Sequence, residues 1–144
     1  MAKTVKDVMK LIEANNIEMV DFKMVDINGQ YRHVTIPAKN FNEKTMQNGI
    51  GFDASNYGYA VVEKSDMVFI PDPDTAVIDP FCQIPTLSMT GNAMIIDNPE
   101  NRPLAQYPRN IIRAAVQYMR DLGIADTMKI LPEFEFYLFD DVTW

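Results

Sequence analysis

Apolar residues Val5, Val8, Met9 and Ile12 recur at helical spacing behind Thr4 and Asp7, which pair as a capping box with a short acid. The pattern predicts an amphipathic helix over Val5 to Ala14, ended by Asn15-Asn16. From Ile17 the period drops to two: Val20, Phe22 and Met24 face one way, Asp21 and Lys23 the other, as in a half-buried strand. Asn28-Gly29 then suits a type I′ turn, and the return strand from Gln30 to Ile36 puts Val34 and Ile36 on one face. A short helix over Phe41 to Asn48, with Gly49 as its cap, leads into the loop Gly49 to Gly58.

Brief apolar runs follow at Tyr59 to Val62, Met67 to Ile70, Ala76 to Ile78, Thr86 to Met89 and Ala93 to Ile96. Pro71, Pro73, Pro80 and Pro85 punctuate them, as in short strands with several at sheet edges. Residues Asp97 to Pro103 read as a linker, placing a domain boundary near Pro99 to Pro108. Beyond Pro108, Ile111, Ile112, Ala115, Met119 and Leu122 predict a second amphipathic helix ending at Gly123. The fold class is α+β, with one domain over 1–100 and the start of another over 101–144.

Composition excludes several partners. A formal net charge of −7 repels phosphate backbones and anionic lipid, so nucleic acid is not expected. No apolar run reaches the length of a membrane helix, and Met1-Ala2-Lys3-Thr4 lacks the regions of a signal peptide, so a cytoplasmic setting without a membrane partner is expected. Cys82 is the single cysteine, which excludes an internal disulfide and a multi-thiolate metal site; its default reading is a small buried hydrophobe.

Two segments carry candidate chemistry. The loop Gly49 to Gly58 mixes three glycines with Asp53, Ser55, Asn56 and two further aromatics, Phe52 and Tyr57, which suits either a contact surface or a plain turn-rich loop. Residues Ile130 to Asp140, read as a strand, put Glu133 and Glu135 on one face about 7 Å apart, with Phe134, Phe136 and Leu138 on the other. Such carboxylates either face water or help hold a hard cation such as Mg²⁺ or Mn²⁺, which needs more ligands than these two supply. His33, the lone histidine, falls on the hairpin strand and reads as a packed or solvent-facing side chain.

The order of short motifs resembles the glutamine synthetase family of bacterial and archaeal type across nearly the whole chain. They run from Val5-Lys6-Asp7-Val8-Met9, Val20-Asp21-Phe22 and His33-Val34-Thr35-Ile36-Pro37 to Phe52-Asp53-Ala54-Ser55-Asn56 and Ser65-Asp66-Met67. Pro71-Asp72, Asp79-Pro80-Phe81, Pro108-Arg109 and Pro132-Glu133-Phe134-Glu135-Phe136 complete the series. The resemblance implies a β-grasp domain followed by the first helix and metal-ligand strand of a larger catalytic domain. It implies that Glu133 and Glu135 each ligate one of two divalent ions serving ATP and glutamate, and that Asp53 is donated to a neighbouring subunit in a homo-oligomer. There Asp53 helps bind and deprotonate ammonium, with Ser55 and Asn56 beside the substrate. The family loop carries Gly and Ser where this chain has Ala54 and Asn56.

The implied activity is an ATP-dependent glutamate–ammonia ligase acting through γ-glutamyl phosphate. The other metal ligands, the substrate-binding arginines and the nucleotide pocket of the family have no counterpart within these residues, so the chain reads as an amino-terminal portion, inactive alone. Two alternatives remain: a ligase joining glutamate to an amine, and a non-catalytic β-grasp regulatory module. The apolar faces of the second helix and the aromatic strand are expected to promote self-association.

Overall fold

The computed structural model describes residues 3–97 and 99–144; the parts of the readings above that fall on Met1, Ala2 and Asn98 lie outside the described residues. Helix α1 (Val5–Ala14) opens the chain, and the Thr4 side chain accepts from the Asp7 amide while Asp7 caps the Thr4 amide in return. Strand β1 (Met19–Val25) follows, then β2 (Tyr31–Pro37) and helix α2 (Glu43–Asn48). Next come β3 (Ile50–Asp53), β4 (Asp66–Pro71), β5 (Val77–Ile78), β6 (Thr86–Met89), β7 (Gly91–Ile95) and β8 (Arg102–Pro103). Helix α3 (Pro108–Asp121) is the last regular element among the described residues.

The strands form two four-stranded sheets, ordered β2-β1-β6-β5 and β3-β4-β7-β8. In the first, β1 is antiparallel to β2 and parallel to β6, which gives the β-grasp sheet. Alternation along β1 sends Val20, Phe22 and Met24 into the core, each at most 1 % exposed. The Phe22 ring lies 6.2 Å from Phe41 and 6.5 Å from Phe69 of β4, so one side chain ties the first sheet to the second. Val8 of α1, Leu87 and Met89 of β6 and Ala93 of β7 complete this apolar cluster.

Four sequence expectations give way. The β1–β2 turn is not type I′: Asn28 does not take the positive φ such a turn demands, and only Gly29 does, at 84°. Buried Asp26 organises the turn instead, its carboxylate accepting from the Asn28 and Gln30 amides and from Arg32 Nε, each at 2.9 Å. Tyr59 to Val62 is not a strand; Val62–Lys64 makes one 3-10 turn. The end of the linker-like stretch, Arg102–Pro103, is drawn into the second sheet, because β8 pairs with β7. Cys82 is exposed, since the Pro80 to Pro85 segment runs outside the first sheet.

The chain divides into two compact units, one ending at Arg113 and the other spanning Ala114–Trp144. In the first, the Arg109 guanidinium fastens the start of α3: it is paired with Asp72 and donates to Asn92 Oδ1 at 3.2 Å and Thr90 Oγ1 at 3.0 Å. Asn110 adds two bonds from its amide to the Ala93 and Leu104 carbonyls. In the second unit, residues 130–140 form no strand, which corrects the expectation for Glu133 and Glu135. An isolated strand leaves its N–H and C=O groups without ladder partners, and this unit supplies no second strand. Leu131, Phe134 and Leu138 are correspondingly exposed.

Two predictions follow from the first unit. Phe22→Ala should destabilise the protein by about 3–5 kcal/mol, read as a lower urea midpoint, because it empties the contact between the sheets. Asp79, held by Lys23 foremost, has its carboxyl lowered from 3.8 to about 2. Its contribution is therefore full above the ordinary carboxylate range and is lost as pH falls toward about 2. Acid unfolding of Asp79→Asn followed by circular dichroism should be less steep across that interval than unfolding of the parent.

Candidate functional site

The loop that sequence reading marks for contact is half strand. Gly49 caps α2 with φ 75°, and a side chain there would collide with the Phe69 carbonyl. That close approach lets β3 pair antiparallel with β4 at once, carrying Asp53 to the strand end. A 3-10 turn over Ala54–Tyr57 follows, with Asp53 as its N-cap.

Asp53 Oδ1 accepts from the Ser55 amide at 2.9 Å and from Ser55 Oγ at 2.6 Å. Both bonds favour the ionised form, and the Ser55 hydroxyl foremost holds the Asp53 carboxyl below the usual carboxylate range. The Ser65 hydroxyl lowers it further, and Asp53 stays exposed. Asp66 stands directly opposite it in the β3–β4 register. Residues so placed share a face with Cα atoms roughly 4.5–5.5 Å apart, and like charges there repel. Asp66 was missed as a site residue by sequence reasoning; its signal was the Ser65-Asp66-Met67 motif, which acquires meaning only through strand register.

The turn is held from below. Phe52 and Tyr57 pack edge to face at 5.2 Å, the Ala54 amide donates to the Ser65 carbonyl at 2.8 Å, and the Tyr59 amide donates to the Ala54 carbonyl at 3.0 Å. The Ile27 amide in the β1–β2 turn donates to the Tyr57 carbonyl at 3.0 Å. Gly58, at φ 78°, lets Ile27 approach so closely that a Cβ would lie 2.6 Å from its Cγ2. Tyr59 Oη donates to the Val25 carbonyl at 2.9 Å, and burial pushes its hydroxyl up to about 12, so it remains a donor at neutral pH. Ala54 is wholly buried with ordinary negative φ, so the turn accepts its methyl without backbone strain. Asn56 is exposed at the turn's outer edge.

Residues 16–95 match the family described as the glutamine synthetase β-grasp domain. The chain belongs to the glutamine synthetase family. Over 143 residues it is 41% identical to glutamine synthetase of Mycolicibacterium smegmatis, covering 99% of this chain and 30% of the relative. A 3-hydroxylaminophenol mutase of Cupriavidus pinatubonensis is 39% identical over 145 residues, covering 100% of this chain and 30% of the relative. A solved structure described as the GmaS/ADP complex superposes with TM-score 0.71 at 20% identity, over 81% of this chain and 26% of that one, a likeness of fold. The chain thus spans about 30% of the length of its curated glutamine synthetase relatives.

Glu133 and Glu135 belong to the second unit. Both are exposed, and no group of three or more histidine, cysteine, aspartate or glutamate side chains suited to a metal occurs among the described residues. Two carboxylates fall short of a ligand set for Mg²⁺ or Mn²⁺, so these residues alone do not fit a divalent centre.

Replacing Ser55 with alanine should raise the Asp53 titration midpoint toward the ordinary carboxylate value. The measurement is the Asp53 side-chain carbon shift by NMR as pH is lowered; an unmoved midpoint would remove Ser55 as the cause.

Proposed function

We propose that this chain is the amino-terminal portion of an ATP-dependent ligase that joins ammonia to glutamate, with Asp53 as the residue that receives ammonium. The supporting observation is the pairing of an exposed, ionised Asp53 with Asp66 at the end of a braced strand. In the proposed reaction the glutamate side-chain carboxylate attacks the γ-phosphorus of ATP, the bond to ADP breaks, and γ-glutamyl phosphate forms. Ammonia then attacks the carbonyl carbon, and phosphate leaves with the bonding pair.

A carboxylate held below its usual range binds a cation well but is a weak base. Asp53 therefore serves first as an electrostatic seat for ammonium. Proton transfer to it becomes favourable when the rest of the protein closes over the turn, because exclusion of water raises a carboxylate's affinity for a proton. Ser55 orients Asp53, while Asn56 presents an amide toward the incoming groups. In a homo-oligomer this edge would complete a neighbour's site. Glu133 and Glu135 would contribute to divalent-ion binding only together with ligands from sequence outside these 144 residues.

A second reading has one observation in its favour. Val61 and Val62, just past the turn, are 65 % and 73 % exposed and form an apolar lip beside the acidic pair. An alkylamine acceptor could lay its carbon chain there, which ammonia does not need.

The test uses the 144-residue chain and a version extended to the full length of the relatives. The chain alone should form no glutamine, and the extended protein should form it from glutamate, ammonia and ATP. Asp53→Asn in the extended protein should lower kcat by about 10²–10⁴-fold while ATP binding persists. If the extended protein binds ATP yet makes amide only with methylamine, the acceptor is an amine; if it makes neither product, the ligase reading fails.

A further inference from the structure

The outer face of the first sheet carries a second cluster, unused by the reading above. Asp21 of β1 is only 6 % exposed, yet lies on the face away from the core. Its Oδ1 accepts from His33 Nδ1 at 2.8 Å and from Thr35 Oγ1 at 2.6 Å, so the imidazole carries its proton on Nδ1. Both bonds fall on the same oxygen. Oδ2 accepts no hydrogen bond among the described residues and is not sealed from solvent.

The nearby ammonium of Lys23 interacts with the Asp21 charge but makes its direct bond elsewhere. Lys23 Nζ is committed to Asp79 Oδ2 at 2.6 Å, and that carboxylate also accepts from Ser88 Oγ at 2.9 Å and from the Phe81 amide at 3.0 Å. The face carries the carboxylates of Asp21 and Asp79 and the ammonium of Lys23, with the His33 imidazole on Asp21 Oδ1. Asp21 lines a depression of about 520 Å³ together with Met19, Cys82, Ile84 and Thr86. Its walls are chiefly apolar, and a few convergent polar groups over an apolar lining are what a small-ligand site requires.

We propose that this depression binds a small alkylammonium ligand, its charged head on Asp21 Oδ2 and its carbon chain against Met19 and Ile84. A neutral alcohol would forgo the ion pair, and a carboxylate or phosphate would be repelled by Asp21. Ammonium itself would leave the apolar walls empty, so the depression favours a carbon-bearing amine over ammonia. The site lies on the outer face of the sheet, has neither Asp53 nor Asp66 in its lining, and does not depend on the ligase reading.

The probe is n-butylammonium chloride titrated at constant ionic strength into the ¹⁵N-labelled chain, with n-butanol as its neutral counterpart. Saturable amide shifts at Met19, Asp21, Thr35 and Thr86 are expected, with a dissociation constant on the order of millimolar. Asp21→Asn should weaken binding at least about fivefold. Ile84→Lys, at an exposed position that leaves the fold undisturbed, should do the same by placing a tethered ammonium in the depression. The inference is overturned by shifts that fail to saturate up to about 100 mM. It is equally overturned by butanol binding as well as the amine, by unchanged affinity in Ile84→Lys, or by shifts confined to Asp53 and Asp66. That last pattern would leave the ammonium-seat reading standing alone.

Discussion

The packing of the first unit depends on burying β1. It is flanked on both sides, antiparallel to β2 and parallel to β6, so its backbone groups are met by ladder partners on either edge. A parallel neighbour cannot come from a hairpin; β6 must return from more than sixty residues along the chain. That return is held by Phe22, whose ring reaches both Phe41 and Phe69 and so unites the two sheets through one apolar contact. The period-two pattern then acts twice: it supplies the core on one face and fixes Asp21 and Lys23 on the other, where each finds a polar partner.

The same strand reaches the candidate site through its turn. Asp26 folds the β1–β2 connection around its own carboxylate, which sets the Ile27 amide against the Tyr57 carbonyl and lets Gly58 close on Ile27. The 3-10 turn bearing Ser55 and Asn56 is therefore braced from the β-grasp sheet as well as from β4. Bracing of this kind explains how two like charges can be kept side by side in register. A loose loop would let Asp53 and Asp66 drift apart, whereas a strand end with a hydrogen-bonded cap keeps them in register.

Much of this was legible in the sequence, and the exceptions share a cause. Helix α1, its capping box and the β6 boundaries follow from local periodicity and caps, which depend on near neighbours. The type I′ reading of Asn28-Gly29 failed because a dipeptide preference was outweighed by Asp26, whose carboxylate serves amides two and four residues on. The loop reading of residues 50–53 failed because Gly49, which caps α2 as expected, also permits a close backbone approach to β4. Cys82 was misjudged because thiols favour burial in general, while its segment lies outside the sheet. Asp53 stood out from composition and family motif; Asp66 did not, since only strand register shows what faces what.

The absence of a strand at residues 130–140 follows from the same reasoning that explains β1. Alternating Glu133, Phe134, Glu135 and Phe136 is a sound strand pattern, but a pattern specifies which face is which only after a neighbouring strand fixes the plane. In the first unit each strand found such a neighbour; in the second no described residue offers one. The aromatic side chains consequently remain exposed, and the two glutamates belong to no group of three or more candidate metal ligands among the described residues. Local sequence encodes the capacity to form that edge, and long-range pairing has to realise it. Both sheets are paired within the first unit, whereas the carboxylate segment has no paired strand among the described residues.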